Sequence, residues 1–252
     1  MTWLGTGGWL LLMLLPLVYL ERWVHRHLQG VWLLILRHEE SATIIYSILM
    51  LPGVVLHEGS HWLAATLLGV RAGRFSVVPE RLPNGTLRLG YLETDKPDLF
   101  REALIGVAPL ITGTATIIFA GYARLGLGPV GDALAHTDLV GALEKLLALT
   151  QAQDFWLWLY LVFAVSNSML PSASDRRAWL PVALMALAIV GVVVYLGLGT
   201  AMVEAFGGML EAALRALAAA FTITVGIDLC LAPCIWLVEQ GLMKLTGLRL
   251  QY

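Results

Sequence analysis

The chain has 252 residues, 58% of them hydrophobic and 13% charged, with a formal net charge of −2. A soluble globular chain carries roughly a quarter charged residues, so a water-soluble domain with a polar surface all round is excluded. The near-neutral balance and the absence of any basic run give no basis for a nucleic-acid partner.

Residues 1–20, 103–123, 155–174 and 178–203 contain no Asp, Glu, Lys or Arg, and each is close to the ~20 apolar residues that cross a bilayer core as a helix. Read in chain order, the pattern predicts an all-α polytopic membrane protein with about six spans. The first covers residues 3–20, bent at Pro16. It lacks a basic start and a small-residue cleavage pattern before Glu21, so it reads as a retained span and not a signal peptide. Residues 21–40 mix Arg22, Arg26 and Arg37 with Trp23 and Trp32, which predicts a helix lying in the bilayer interface. The second span runs over 41–70.

Residues 71–98 change character. Phe75-Ser76-Val77-Val78 and residues 86–91 have strand composition, and Pro83-Asn84-Gly85 between them is a turn signal, so a short β-hairpin follows the second span. The third span is 103–123, and residues 138–149 of the polar stretch after it have amphipathic helical spacing. The fourth (155–170), fifth (178–203) and sixth (219–242) complete the set. Cys230 and Cys234, four residues apart, are expected as buried thiols packing like small hydrophobes. No repeat or low-complexity linker divides the chain, so residues 1–252 form one membrane-embedded domain. With the N-terminus inside, ten basic residues fall on the cytoplasmic side and six on the other. That bias predicts cytoplasmic termini and a cytoplasmic hairpin.

Within the second span, His57-Glu58-Gly59-Ser60-His61 carries the HExxH pattern. Residues four apart share one helix face, so both imidazoles reach one ion. Neutral imidazole suits zinc, and the intervening Glu58 is placed to accept a proton from water. Three such groups inside an apolar span cost several kcal/mol unless paired or metal-bound. The alternative, mutual hydrogen bonding inside the bundle, gives no reason for a metal-ligand spacing. Two histidines leave zinc in need of a third protein ligand. Ala64 and Leu67 stand where a metzincin needs Gly and His. The remaining candidates are Asp154, Asp175, Asp228, His136 and Glu204. Asp175 leads them because Pro171 and a Ser-rich stretch break the fourth span just before it, and irregular backbone at membrane depth lines protein or a polar cavity. Pairing with Arg176 or Arg177 is the plainer role for Asp175. Asp228 reads as a partner for another buried polar group.

These residues resemble the site-2 protease family of intramembrane zinc metalloproteases. The likeness covers roughly residues 41–178. His57-Glu58-Gly59-Ser60-His61 is similar to its first motif, Gly69-Val70-Arg71 leading into Arg74-Phe75-Ser76-Val77 to its strand, and Gly106-Val107-Ala108-Pro109 to its Ala-Gly-Pro element. Asn167 and Asp175 keep the family's eight-residue separation, while Pro171 falls one residue late and Ser174-Asp175-Arg176 replaces Leu-Asp-Gly. The resemblance implies zinc held by His57, His61 and Asp175, with Glu58 as general base and then acid, and Asn167 orienting substrate or the oxyanion. The implied reaction is hydrolysis of a peptide bond in or near a membrane segment of a partner, a single-span membrane protein. The implied setting is the lipid bilayer of a prokaryotic plasma membrane. Two other classes are weighed beside it. One is a zinc-binding membrane protein without proteolysis, which has no need of Glu58. The other is an ion transporter, which needs more intramembrane charge than this cluster and Asp228 provide.

Overall fold

A computed structural model describes residues 3–81, 87–88 and 90–250. The chain is mostly helical: α1 (Trp3–Leu36), α2 (Glu39–Leu67), α3 (Leu99–Ile118) continued by a π-helical turn (Phe119–Arg124), α4 (Gly128–Ala135), α5 (Leu139–Leu149), α6 (Phe155–Ser166), α7 (Trp179–Tyr195) and α8 (Gly199–Thr246). Four segments are long and apolar enough to cross a membrane: Gly5–Leu36, Glu39–Leu67, Leu99–Arg124 and Gly199–Thr246. The expected fourth and fifth spans become the shorter α6 and α7, of 12 and 17 residues. Apolar side chains such as Leu15, Leu187 and Leu237 face outward from the bundle, as lipid contact requires.

Two sequence expectations are corrected here. The interfacial helix expected over 21–40 is the continuation of α1, which passes through Glu21 and Arg22 without a break. The sixth span, expected over 219–242, likewise extends into a single 48-residue α8 that takes in Glu204, Glu211 and Arg215. Glu211 and Arg215 stand one turn apart and pair with each other, so these charges decorate one helix face and do not end the helix. At 1.5 Å per residue α8 is about 70 Å long, more than twice the hydrocarbon thickness.

Helix directions follow from the polar contacts. His25 of α1 meets Tyr46 of α2 across the tight turn at Arg37-His38, so these two helices are antiparallel. Trp9 Nε1 donates to Thr222 Oγ1 at 2.9 Å, and His27 Nδ1 lies 2.6 Å from Glu239 Oε2, so α1 and α8 run parallel. Six alternating spans would have made the first and last antiparallel.

The core lies where α1, α2, α3, α6 and α8 meet, around Leu17, Val24, Tyr46, Met50, Ile117, Val162 and Phe221. A Cβ on Gly53 would lie 2.1 Å from the Ala164 carbonyl oxygen. Glycine there lets α2 and α6 approach to backbone contact, the common device for helix pairs in lipid. Tyr160 Oη adds a hydrogen bond to the Leu49 carbonyl at 2.9 Å. The end of α2 is set by Gly69 at φ +70 and by Val70 N–H bonding back to the Ala65 carbonyl at 2.9 Å, a Schellman closure. Val70 then packs on Ala65 and Ile105, which fixes where the chain leaves the helix.

The β-hairpin is present and longer than expected. Strand β1 (Ala72–Ser76) pairs antiparallel with β4 (Tyr91–Thr94), with Phe75 opposite Leu92 and a register irregularity before Phe75. Beyond it β2 (Glu80–Arg81) pairs with β3 (Leu87–Arg88). The turn expected at Pro83-Asn84-Gly85 lies outside the described residues. Asp98 then caps α3, its carboxylate accepting from the N–H groups of Phe100 and Arg101 at 3.1 and 3.0 Å.

Candidate metal site

Helix α2 places His57 and His61 one turn apart on the face turned toward α3 and the loop after α6. Their Nε2 atoms stand 3.2 Å from each other. Asp175, in that loop, brings Oδ2 to 3.7 Å from His57 Nε2 and Oδ1 to 3.3 Å from His61 Nε2. Tetrahedral zinc with ligand bonds of ~2.0–2.1 Å sets ligand atoms about 3.4 Å apart, so the donor set fits such an ion in kind and spacing. Among the described residues this is the one cluster of three His, Cys, Asp or Glu side chains that could hold a metal. The third ligand expected at Asp175 is therefore brought to the two histidines.

Each imidazole is oriented through its other nitrogen. His57 Nδ1 donates to the Ser168 carbonyl at 2.6 Å, and His61 Nδ1 to the Ile105 carbonyl at 2.9 Å. Both bonds leave Nε2 free for the ion, the arrangement that fixes tautomer and ring orientation at metal sites. Asp175 is held by its own loop: Ser172 N–H donates to Oδ2 at 2.7 Å, and Asp175 N–H returns a bond to Ser172 Oγ at 3.3 Å. This is the reciprocal pairing of a capping box. Burial alone would raise the Asp175 carboxyl, but its contacts with the His57 and His61 rings and the Ser172 N–H favour the charged form and hold the group well below the ordinary carboxylate range. A Cβ on Gly106 would lie 2.1 Å from the Asp175 carbonyl oxygen, so α3 can seat the Asp175 loop only with glycine at that position.

The three residues, with Glu58, line a cavity of about 870 Å³ that also takes in Gly90, Tyr91, Leu92 and Thr94 of the hairpin and the side chains of Lys96, Glu102 and Arg177. A hairpin strand thus forms one wall beside the ligands.

Asn167 is not brought to this cavity. It is 1% exposed, and its Nδ2 is directed into the bundle, donating to the Phe163 carbonyl and to Asp228 Oδ1, both at 3.0 Å. The expectation that its amide orients substrate is therefore corrected: the residue holds helices, because α8 supplies a buried carboxylate behind it. Asp228 matches the role of a partner for a buried polar group. Asp154 stands at the start of α6, Glu204 in α8, and His136 ends α4 with Nδ1 bonded to the Asp132 carbonyl at 2.7 Å; none of the three joins the cluster. Cys230 and Cys234 are free and exposed on α8, not buried as expected, because among the described residues nothing covers that face of α8. Ser172 carries no role in the sequence reading, and Gly106 enters it only within a motif, without its part in seating the Asp175 loop. The Ser-x-x-Asp spacing of 172–175 was the available sign for the first. The second requires knowing that α3 crosses the Asp175 loop.

The chain matches no family model, and neither a curated protein nor a solved structure matches it.

Proposed function

We propose that the protein is an intramembrane zinc metalloendopeptidase of the site-2 protease kind, cleaving peptide bonds in or near a membrane-spanning segment of a single-span substrate. The observation that carries this reading is the convergence of His57 Nε2, His61 Nε2 and the Asp175 carboxylate, in a cavity that also presents Glu58. When bound, zinc would supply Lewis acidity and lower the pKa of water at its open position. His57, His61 and Asp175 would hold it. Glu58 would take a proton from the attacking water and return it to the departing amine.

His61 lies six residues before the end of α2, or about 9 Å along the helix. Water would enter from the hairpin side while the bundle excludes lipid. The wall formed by Tyr91–Thr94 supports a place for an unwound substrate segment, since a strand edge offers backbone groups to an extended peptide. The helix, hairpin and later aspartate follow the order of the resembled family. A zinc-binding protein without proteolysis would use the same ligands without proton transfer by Glu58. The deciding experiment is zinc analysis of the purified chain alongside cleavage of single-span test substrates, in parent and Glu58→Gln forms.

A further inference from the structure

Helices α1 and α8 supply no metal ligand, yet each sends a polar side chain to the turn that ends α6, half-buried His25 from α1 and buried Asp228 from α8. His25 Nε2 donates to the Asn167 carbonyl at 2.8 Å. Tyr46 Oη bonds to His25 Nδ1, and these two bonds together require the tautomer with hydrogen on Nε2. Asp228, 0% exposed, accepts from Asn167 Nδ2. The next residue is Ser168, whose carbonyl takes the Nδ1–H of His57.

We infer that His25, Asn167 and Asp228 are positioning residues of the metal site, clamping the turn at 167–168 so that the Ser168 carbonyl fixes the His57 ring. This rests on the metal reading proposed above. The final carbonyls of a helix have no intrahelical partner, so the peptide planes of this turn are set by whatever else binds them. His25 holds the Asn167 carbonyl and Asp228 holds the Asn167 side chain, which together pin the backbone immediately before Ser168. The arrangement is costly. Asn167 Oδ1 and Asp228 Oδ2 are buried with no hydrogen-bond partner, and apolar groups of similar size would hold helices together at least as well. What apolar groups could not do is orient a carbonyl beside a metal ligand.

The same two long helices carry a built-in comparison. His27 and Glu239, the latter 1% exposed, join α1 to α8 through a separate contact at 2.6 Å. Loss of that pair should loosen the bundle without touching the ligand.

The test uses the full chain purified in detergent. Zinc affinity is read by chelator competition, and ligand geometry by the visible absorption of the Co²⁺-substituted protein. Groups that orient metal ligands typically contribute 10–100-fold in affinity; one bond further out, Asp228→Ala and His25→Phe should weaken zinc about tenfold and shift the cobalt bands. Asp228→Asn keeps an oxygen for Asn167 Nδ2 and should retain parent affinity. Glu239→Gln should leave affinity and cobalt spectrum unchanged. If Asp228→Ala does not fold, His25→Phe against Asp228→Asn decides. Parent-like zinc affinity in the folded clamp variants would overturn the clamp alone, as would an equal loss in Glu239→Gln, which would mean general loosening. A parent chain that binds no zinc would overturn the metal reading and the clamp together.

Discussion

The Nδ1 atom of His57 lies 2.6 Å from the carbonyl oxygen of Ser168, a residue 111 positions later in the chain. That one bond joins the HExxH helix to the turn leading into Asp175. It also selects the His57 tautomer with Nε2 directed at Asp175. The two halves of the site are thus registered against each other through the chain's own hydrogen bonding.

His57→Ala, His61→Ala and Asp175→Ala each remove one of the three converging donors. A parent chain with about one zinc per molecule should fall to sub-stoichiometric zinc in all three. Asp154→Ala and Glu204→Ala should stay at parent level. Metal analysis after gel filtration checks this, and full zinc in Asp175→Ala would remove the third ligand from the scheme.

Gly106 tests the fit of the Asp175 loop without altering a ligand. A Cβ there meets the Asp175 carbonyl oxygen at 2.1 Å, so Gly106→Ala must displace either α3 or the loop. Overpacking of this kind typically costs about 1–3 kcal/mol. Weaker zinc binding by chelator competition and a lowered melting temperature are both expected. Unchanged values in both would mean that the loop is not seated on α3.

How much of this was legible beforehand depends on the range of each interaction. The His57–His61 pair could be read because a helix repeats every 3.6 residues and both ligands sit on one helix. Asp175 was legible less directly, through the Pro171 break and the resemblance. The extent of α1 and α8 was not. Glu21, Arg22, Glu211 and Arg215 look like span boundaries by composition. In the fold, Glu211 and Arg215 pair along the helix and α1 continues past Glu21. Asn167 misled for a related reason: its spacing to Asp175 was visible, but its partner Asp228 lies 61 residues away, and no local pattern announces that contact.

Chain topology gives a separate check. With α1 and α8 parallel, both crossing a bilayer, the two termini should lie on opposite faces. The end carrying the hairpin and the Asp175 loop holds Arg71, Arg74, Arg81, Arg88, Lys96, Arg101, Arg176 and Arg177, against Arg37, Arg124, Lys145, Lys244 and Arg249 at the other. That bias predicts a cytoplasmic hairpin and N-terminus, and the parallel helices then put the C-terminus on the opposite side, not in the cytoplasm as the basic count over six spans suggested. Protease protection of epitope tags at each terminus in intact cells and in inverted vesicles reads this out. Tags protected together would contradict the parallel crossing.

Strand β4 should matter to turnover and not to the metal. Leu92 sits in the cavity wall and pairs with Phe75. Leu92→Pro removes a backbone donor and disrupts the edge. Cleavage should slow at least several-fold while zinc content holds. Cleavage equal to the parent would make the hairpin a plug for the bundle.

Glu58 bears on the central claim most directly, because it lines the cavity beside the ligands without being one of them. Glu58→Gln keeps size and hydrogen bonding but cannot take a proton from water. The measurement is zinc content and cleavage rate of a single-span substrate, in parent and variant prepared identically. The predicted result is equal zinc in both and a rate lower in the variant by about 10²–10⁴-fold, the usual contribution of a general base. Equal cleavage by both forms, or a zinc-loaded parent that cleaves none of a broad substrate panel, would contradict the assignment of this protein as a metalloprotease working through Glu58.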